Sequence, residues 1–209
     1  VEALAPTIET ARAALPEGYR IEVGGTVEES RTSQASVFAV VPVMILIMLT
    51  VLMFELESFQ RLLIVLSVAP LGLIGVVAAL LPSGRPLGFV ALLGVLALVG
   101  IIIKNAVILL SQIEADRAAG MSVRDAVVNA CTIRFRPIVL TAISTVLGMV
   151  PIAPTVFWGP MAFAIMGGLL AATILTLVFL PALYLAWFGR ADRAAAGPEA
   201  ARRGEPAAV

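Results

Sequence analysis

Residues 89–110 read FVALLGVLALVGIIIKNAVILL, 22 consecutive positions that carry one charge, Lys104, and one neighbouring amide, Asn105. A helix of that length rises about 33 Å at 1.5 Å per residue, enough to cross a hydrocarbon core of about 30 Å. Four more apolar runs surround it, at 37–54, 62–81, 138–156 and 161–188. Each reaches or exceeds the roughly 17–20 residues that a crossing needs. Pro42 and Pro70 lie inside the first two runs. Packed neighbours tolerate such breaks in a membrane, so both read as kinks.

Composition agrees. Of 209 residues, 60% are hydrophobic and only 13% charged, against about 45–50% and 25% in soluble domains. A soluble chain of this size would leave too much apolar surface in water, and disordered or collagen-like readings fail as well. The expected fold class is an all-α polytopic membrane protein with five transmembrane helices. Fourteen basic residues balance 14 acidic ones, so no basic surface for nucleic acid is expected. With no His and a single Cys, no disulfide framework or Cys/His metal site can form, and no cofactor and no catalytic site are expected. Cys131 reads as a free thiol. The chain opens on Val1 without a signal peptide, and is expected to be an excerpt of a longer one.

Residues 1–35 are polar enough to lie outside the bilayer. Leu4, Ile8, Ala11 and Leu15 have helical spacing, Pro16-Glu17-Gly18 makes a turn, and 19–23 alternate as a half-buried strand does. Thr26 with Glu29 is a capping-box pattern opening a helix into the first span. Too short to hold a core, these elements are expected to be a remnant of a larger α+β domain. Residues 36–190 form the membrane domain. Between its third and fourth runs, Val123, Val127 and Ala130 share one helical face, which predicts an amphipathic helix near 121–134 on the membrane surface. Residues 191–209 lack apolar periodicity and are expected to be a disordered tail. Nine Arg (61, 117, 124, 134, 136, 190, 193, 202 and 203) fall on the side of the C-terminus, against Arg85 alone in the opposite short loops. The positive-inside rule then places the C-terminus in the cytoplasm.

The chemistry centres on Lys104, the only lysine and the only charge within the five runs. A charge at mid-membrane costs about 2.5–3.5 kcal/mol on insertion scales. Snorkelling is one answer, since Lys104 lies six residues from the end of its run, about 9 Å of rise. The alternative is a buried cation paired with carboxylates of another helix, as in a proton relay. Asn105 at the same depth and the use of Arg everywhere else favour it, because a compact ammonium differs from a guanidinium. On the fourth run Arg134 and Thr141 lie two turns apart on one face, continued by Ser144, Thr145 and Gly148. Ala164, Gly168 and Ala172 form a small-residue stripe that lets a neighbouring helix approach closely.

The segments GIIIKNAVILL (100–110), RFRPIVLT (134–141) and LGMVP (147–151) resemble those of resistance-nodulation-division (RND) efflux transporters. So do LPEGY (15–19) leading to Gly24, PLG (70–72), and 157–188 with FWGP at the start and FLPALYLAWF at the end. The motifs occur in the family's order over nearly all of 1–190. The resemblance implies the last five of twelve membrane helices, with 1–35 the end of a periplasmic porter domain. It carries the proton-relay lysine onto Lys104, with Asn105 beside it, the relay threonine onto Thr141 and the inner-end arginine onto Arg134. The relay's two aspartates would lie in the N-terminal half, absent here, so these 209 residues alone should not pump. The Lys-Asn pair resembles the hydrophobe and amphiphile (multidrug) branch. The family implies a bacterial inner-membrane proton/substrate antiporter in the lipid bilayer, a homotrimer, with a periplasmic adaptor and an outer-membrane channel as partners. A protein-secretion or lipid-exporting relative and a non-transporting scaffold are the alternatives.

Overall fold

In the computed structural model the 22-residue run lies in a longer helix, and the described residues are helical wherever they are regular. The structure describes the backbone of residues 5–16, 21 and 25–203, and the side chains of these except 5, 26, 27 and 190–203. The elements are α1 (Ala5–Ala13), α2 (Thr26–Leu56), α3 (Phe59–Val68), α4 (Leu71–Ser83), α5 (Phe89–Ala118), α6 (Val123–Met149) and α7 (Gly159–Arg203). Five stretches are long and apolar enough to cross a membrane, with α3 and α4 together supplying the second.

The chain divides into two units, 1–45 and 46–209. In the first, α1 is tied down by the Arg12 Nε, which donates to the Ile21 carbonyl at 2.9 Å. The expected strand at 19–23 lies, apart from Ile21, outside the described residues; no strand occurs among those described. α2 starts at Thr26, where the Glu29 N–H bonds the Gly25 carbonyl at 3.1 Å, and Glu28 and Glu29 in the first turn suit the positive end of the helix.

In the second unit α7 is the element that packs against all of α3, α4, α5 and α6. Its approach to α4 is backbone-close. A Cβ on Gly75 would strike the Gly167 carbonyl, and one on Gly167 would strike Ala79 and come within 2.6 Å of the Gly75 carbonyl oxygen. Small residues make this possible, since nothing projects between the two backbones. The stripe expected on this helix faces inward too: Ala164, Gly168 and Ala172 are buried, and a Cβ on Gly168 would run into Leu98 and Val76. Leu98, Ile102, Leu109, Leu110 and Ile113 of α5 fill the core beside α7.

Several boundaries differ from the sequence expectations. The second run breaks at Pro70 into two helices, because proline has no N–H for the ladder; Ala69, Gly72 and Leu73 instead bond three residues back. The stretch at 121–134 is no separate helix. Its residues from Val123 are the first turns of α6, and Val123, Val127 and Ala130 are buried in the protein core. Amphipathicity here reflects packing on neighbouring helices. The fourth span accordingly ends at Met149, well short of 156, since Pro151 and Pro154 hold 150–158 in turns. α7 is helical to Arg203, into the segment expected to be a tail.

Candidate functional site

Lys104 sits midway along α5, on a face left open by the described residues of the second unit. Ile102, Ile103 and Ala106 around it are buried, whereas Lys104 is exposed and Asn105 half-buried. Among the described residues Lys104 has no hydrogen-bond or ion-pair partner. Thr141 on α6 is exposed as well, and its hydroxyl donates to the Ile138 carbonyl at 2.9 Å. Thr145 likewise donates to the Thr141 carbonyl at 2.8 Å. These hydroxyls satisfy themselves on their own helix, as is usual in membrane helices. The structure thus joins neither Lys104 to Thr141 nor Lys104 to Arg134 by a hydrogen bond.

Arg134 is placed differently. Its Nη2 donates to Gln112 Oε1 of α5 at 2.9 Å, and Gln112 Nε2 donates to Asp116 Oδ1 at 2.9 Å. The other carboxylate oxygen of Asp116 accepts from Asn129 Nδ2 at 3.0 Å. Asp116 is only 8% exposed, so both of its oxygens needed such partners.

Two features bring these side chains together. α5 overruns its apolar stretch by two turns and stops in a Schellman motif: Met121 N–H bonds the Asp116 carbonyl at 3.2 Å and Gly120 N–H the Arg117 carbonyl at 2.9 Å. Gly120 takes φ +95°, a left-handed conformation that favours glycine. Ser122 then caps α6, accepting from the Asp125 N–H at 3.1 Å. This tight turn returns the chain antiparallel and sets Asn129 and Arg134 opposite Asp116 and Gln112.

A second polar cluster lies on another side of the same helix end. Glu114 of α5 pairs with Arg61 of α3, Nη2 to Oε2 at 2.7 Å, and accepts from the Tyr184 hydroxyl of α7. Arg117 Nη1 donates to that hydroxyl oxygen at 3.1 Å, and its guanidinium lies 5.9 Å from the ring centre of Phe188. Arg61 also reaches the Leu56 carbonyl at 3.2 Å. Three helices are cross-linked here by charged groups at the C-terminal end of α5. Sequence reasoning missed both clusters, because it took residues beyond 110 for a connection. The only available signals were the Gln112/Asp116 and Glu114/Arg117 spacings, which place each pair on one helical face.

A groove of about 650 Å³ lies at the opposite end of the bundle. Ala79, Pro82, Phe163, Met166 and Leu170 are among its walls, with Arg85 as its one charged lining residue. Arg85 also donates to the Thr155 carbonyl at 3.3 Å.

The sequence pattern of the AcrB/AcrD/AcrF family matches residues 2–187 of the chain. Two crystal structures of a heavy-metal efflux pump have a similar fold. Crystal form II is 30% identical with a TM-score of 0.68 and aligns over 88% of this chain and 19% of that one. Crystal form I is 29% identical with a TM-score of 0.67, over 90% of this chain and 20% of that one. The chain therefore spans about a fifth of the length of the pumps it resembles.

Proposed function

Because the chain belongs to the AcrB/AcrD/AcrF family of RND transporters, we propose that it is the C-terminal membrane part of a proton-driven efflux permease in the bacterial inner membrane, with its C-terminus in the cytoplasm. One observation carries the mechanism. The only charge within the apolar runs, Lys104, is exposed on α5, and among the described residues nothing pairs with it. Its counter-charge must come from elsewhere, and carboxylates in the remainder of the full-length protein would supply it. A proton entering from the periplasm neutralises a carboxylate, the ion pair with Lys104 loosens, and the helices shift. One charge crossing the full field is worth about 2.3 kcal/mol per 100 mV. Arg134 and Thr141, on the neighbouring helix, complete the polar route, and Asn105 hydrates or orients Lys104. The periplasmic domains that this motion drives, the homotrimer, the adaptor and the outer-membrane channel all belong to the same proposal.

For the substrate, the Lys104–Asn105 pair supports drugs or other amphiphiles, and the resemblance to heavy-metal pumps supports metal ions as a second reading. The experiment is export by cells expressing the full-length transporter at matched membrane levels, with ethidium and with zinc as probes. Lys104→Met should abolish export while leaving the protein inserted. Lys104→Arg should fail too, because a planar guanidinium does not replace a point-like ammonium between carboxylates. Thr141→Ala should weaken export less, since it removes no charge. Normal export by Lys104→Met would end the relay reading. Normal export by Lys104→Arg would favour snorkelling, since arginine snorkels equally well.

A further inference from the structure

The hydrogen bonds around Arg134 can run in one direction only. A guanidinium offers donors alone and a carboxylate acceptors alone, so the amide of Gln112, with one of each, must turn its oxygen to Arg134 and its nitrogen to Asp116. Asn129 completes the set on the second carboxylate oxygen. The result is an ion pair stretched across an amide: a cation and a buried anion that never touch but fix each other's place. Arg134 is half-buried and its Nε lies buried without a hydrogen-bond partner, so the side chain is turned into the protein instead of out to headgroups. A plain positive-inside anchor would not be held this way.

We propose that Gln112 and Asp116 are positioning residues for Arg134: Gln112 holds its guanidinium against α5, and the Asp116 charge sets the potential that this end of the bundle exerts on the proton route. The role assigned to the route rests on the reading of Lys104 given above; the hold on Arg134 does not. Gln112 and Asp116 lie eight and twelve residues beyond Lys104, about 12 and 18 Å along α5. On α6, Arg124, Asp125 and Arg136 are exposed, and Asp125 accepts from the Ser122 hydroxyl at 2.7 Å. Glu114 is paired with Arg61 and Tyr184, Arg117 reaches Tyr184, and Arg134 is the cation that α6 presents to Gln112.

The signs follow from electrostatics. Removing the Asp116 charge makes the potential along α5 more positive, so groups that must bind a proton do so only at lower pH. One charge at about 18 Å and an effective dielectric near 20 moves such a midpoint by roughly half a unit to one unit. Asp116→Asn keeps the shape and an acceptor for Gln112. In the full-length transporter it should move the midpoint of export against external pH downward by that amount, with ethidium or zinc as the probe. A change in the height of the profile with an unmoved midpoint would mean a merely structural role and overturn this half of the proposal.

The hold itself is read without transport, from the guanidinium ¹⁵N signals of Arg134 in bilayers, assigned by their loss in Arg134→Lys. Gln112→Met should shift and narrow them, and Gln112→Glu, which restores an acceptor, should return them toward wild type. Unchanged signals in Gln112→Met would overturn the hold. If Lys104→Met exports normally, the relay fails and the potential argument falls with it, whereas the Arg134 signals still decide the positioning.

Discussion

Adding a single methyl group to Gly167 should damage this bundle more than its size suggests. The new Cβ would overlap Ala79 and sit 2.6 Å from the carbonyl oxygen of Gly75, where about 3.5 Å is comfortable. Neither neighbour can rotate away, because one is backbone and the other a methyl fixed to it. α4 and α7 must separate by about 1 Å, and overpacking of that kind costs roughly 1–3 kcal/mol. Gly189 on the same helix has no atom within 4 Å of its prospective Cβ. There, Gly→Ala should stabilise by about 0.5–1 kcal/mol, through reduced freedom of the unfolded chain. The same chemical change thus has opposite signs at two positions of α7. A difference near 3 kcal/mol corresponds to roughly 6–12 °C in a unit of about 150–250 residues and to less in a longer protein that melts as one. The assay is thermal unfolding of the full-length protein in detergent, followed by fluorescence size-exclusion after heating. Equal shifts for Gly167→Ala and Gly189→Ala would refute the close contact of α4 with α7.

Further outcomes are expected. On a cysteine-free background that includes Cys131→Ala, a cysteine replacing Leu87 should react with a membrane-impermeant maleimide applied outside cells, and one replacing Met121 should react only after permeabilisation; both positions are exposed, and the reverse pattern would overturn the assigned orientation. Tyr184→Phe should destabilise by about 1–2 kcal/mol, because it removes one buried hydroxyl bonded to both Glu114 and Arg117, while Glu114 keeps its ion pair with Arg61. An unchanged melting temperature would show that the cluster is fully hydrated instead. Gly168→Leu should lower that temperature as well, through collision with Leu98 and Val76; no change would mean that the stripe tolerates side chains.

Apolar runs long enough to cross a membrane are visible one residue at a time, and five such stretches are present in the structure. Helix ends were harder to read. Residues 111–118 are polar enough to pass for a loop, yet they continue α5, because their buried members, Ile113 and Asp116, are satisfied by α6 and by the core. No local pattern reports that. The link from Gln112 to Arg134 joins residues 22 apart across a turn, and the pairing of Glu114 with Tyr184 spans 70. Such contacts exist only once helices are docked. The small residues of α7 were legible as a stripe at Ala164, Gly168 and Ala172, but the tightest approach involves Gly167 and Gly75, whose partnership depends on how two helices cross. For Lys104 the limit was different: its isolation was plain in the sequence, and among the described residues it is exposed and without a partner.

α7 follows in the sequence the four helices it packs on, and that order bears on how the protein is made. Helices leave the ribosome in order, so α3, α4, α5 and α6 enter the bilayer before the helix they all pack on has been synthesised. Until then the face of α4 at Gly75 lacks the backbone of Gly167 that packs on it. The nascent bundle must survive in this half-built form while α7 emerges. A premature stop shortly before residue 159 would therefore strand four inserted helices without their common partner, and cellular quality control would meet a protein that is threaded correctly but never assembled.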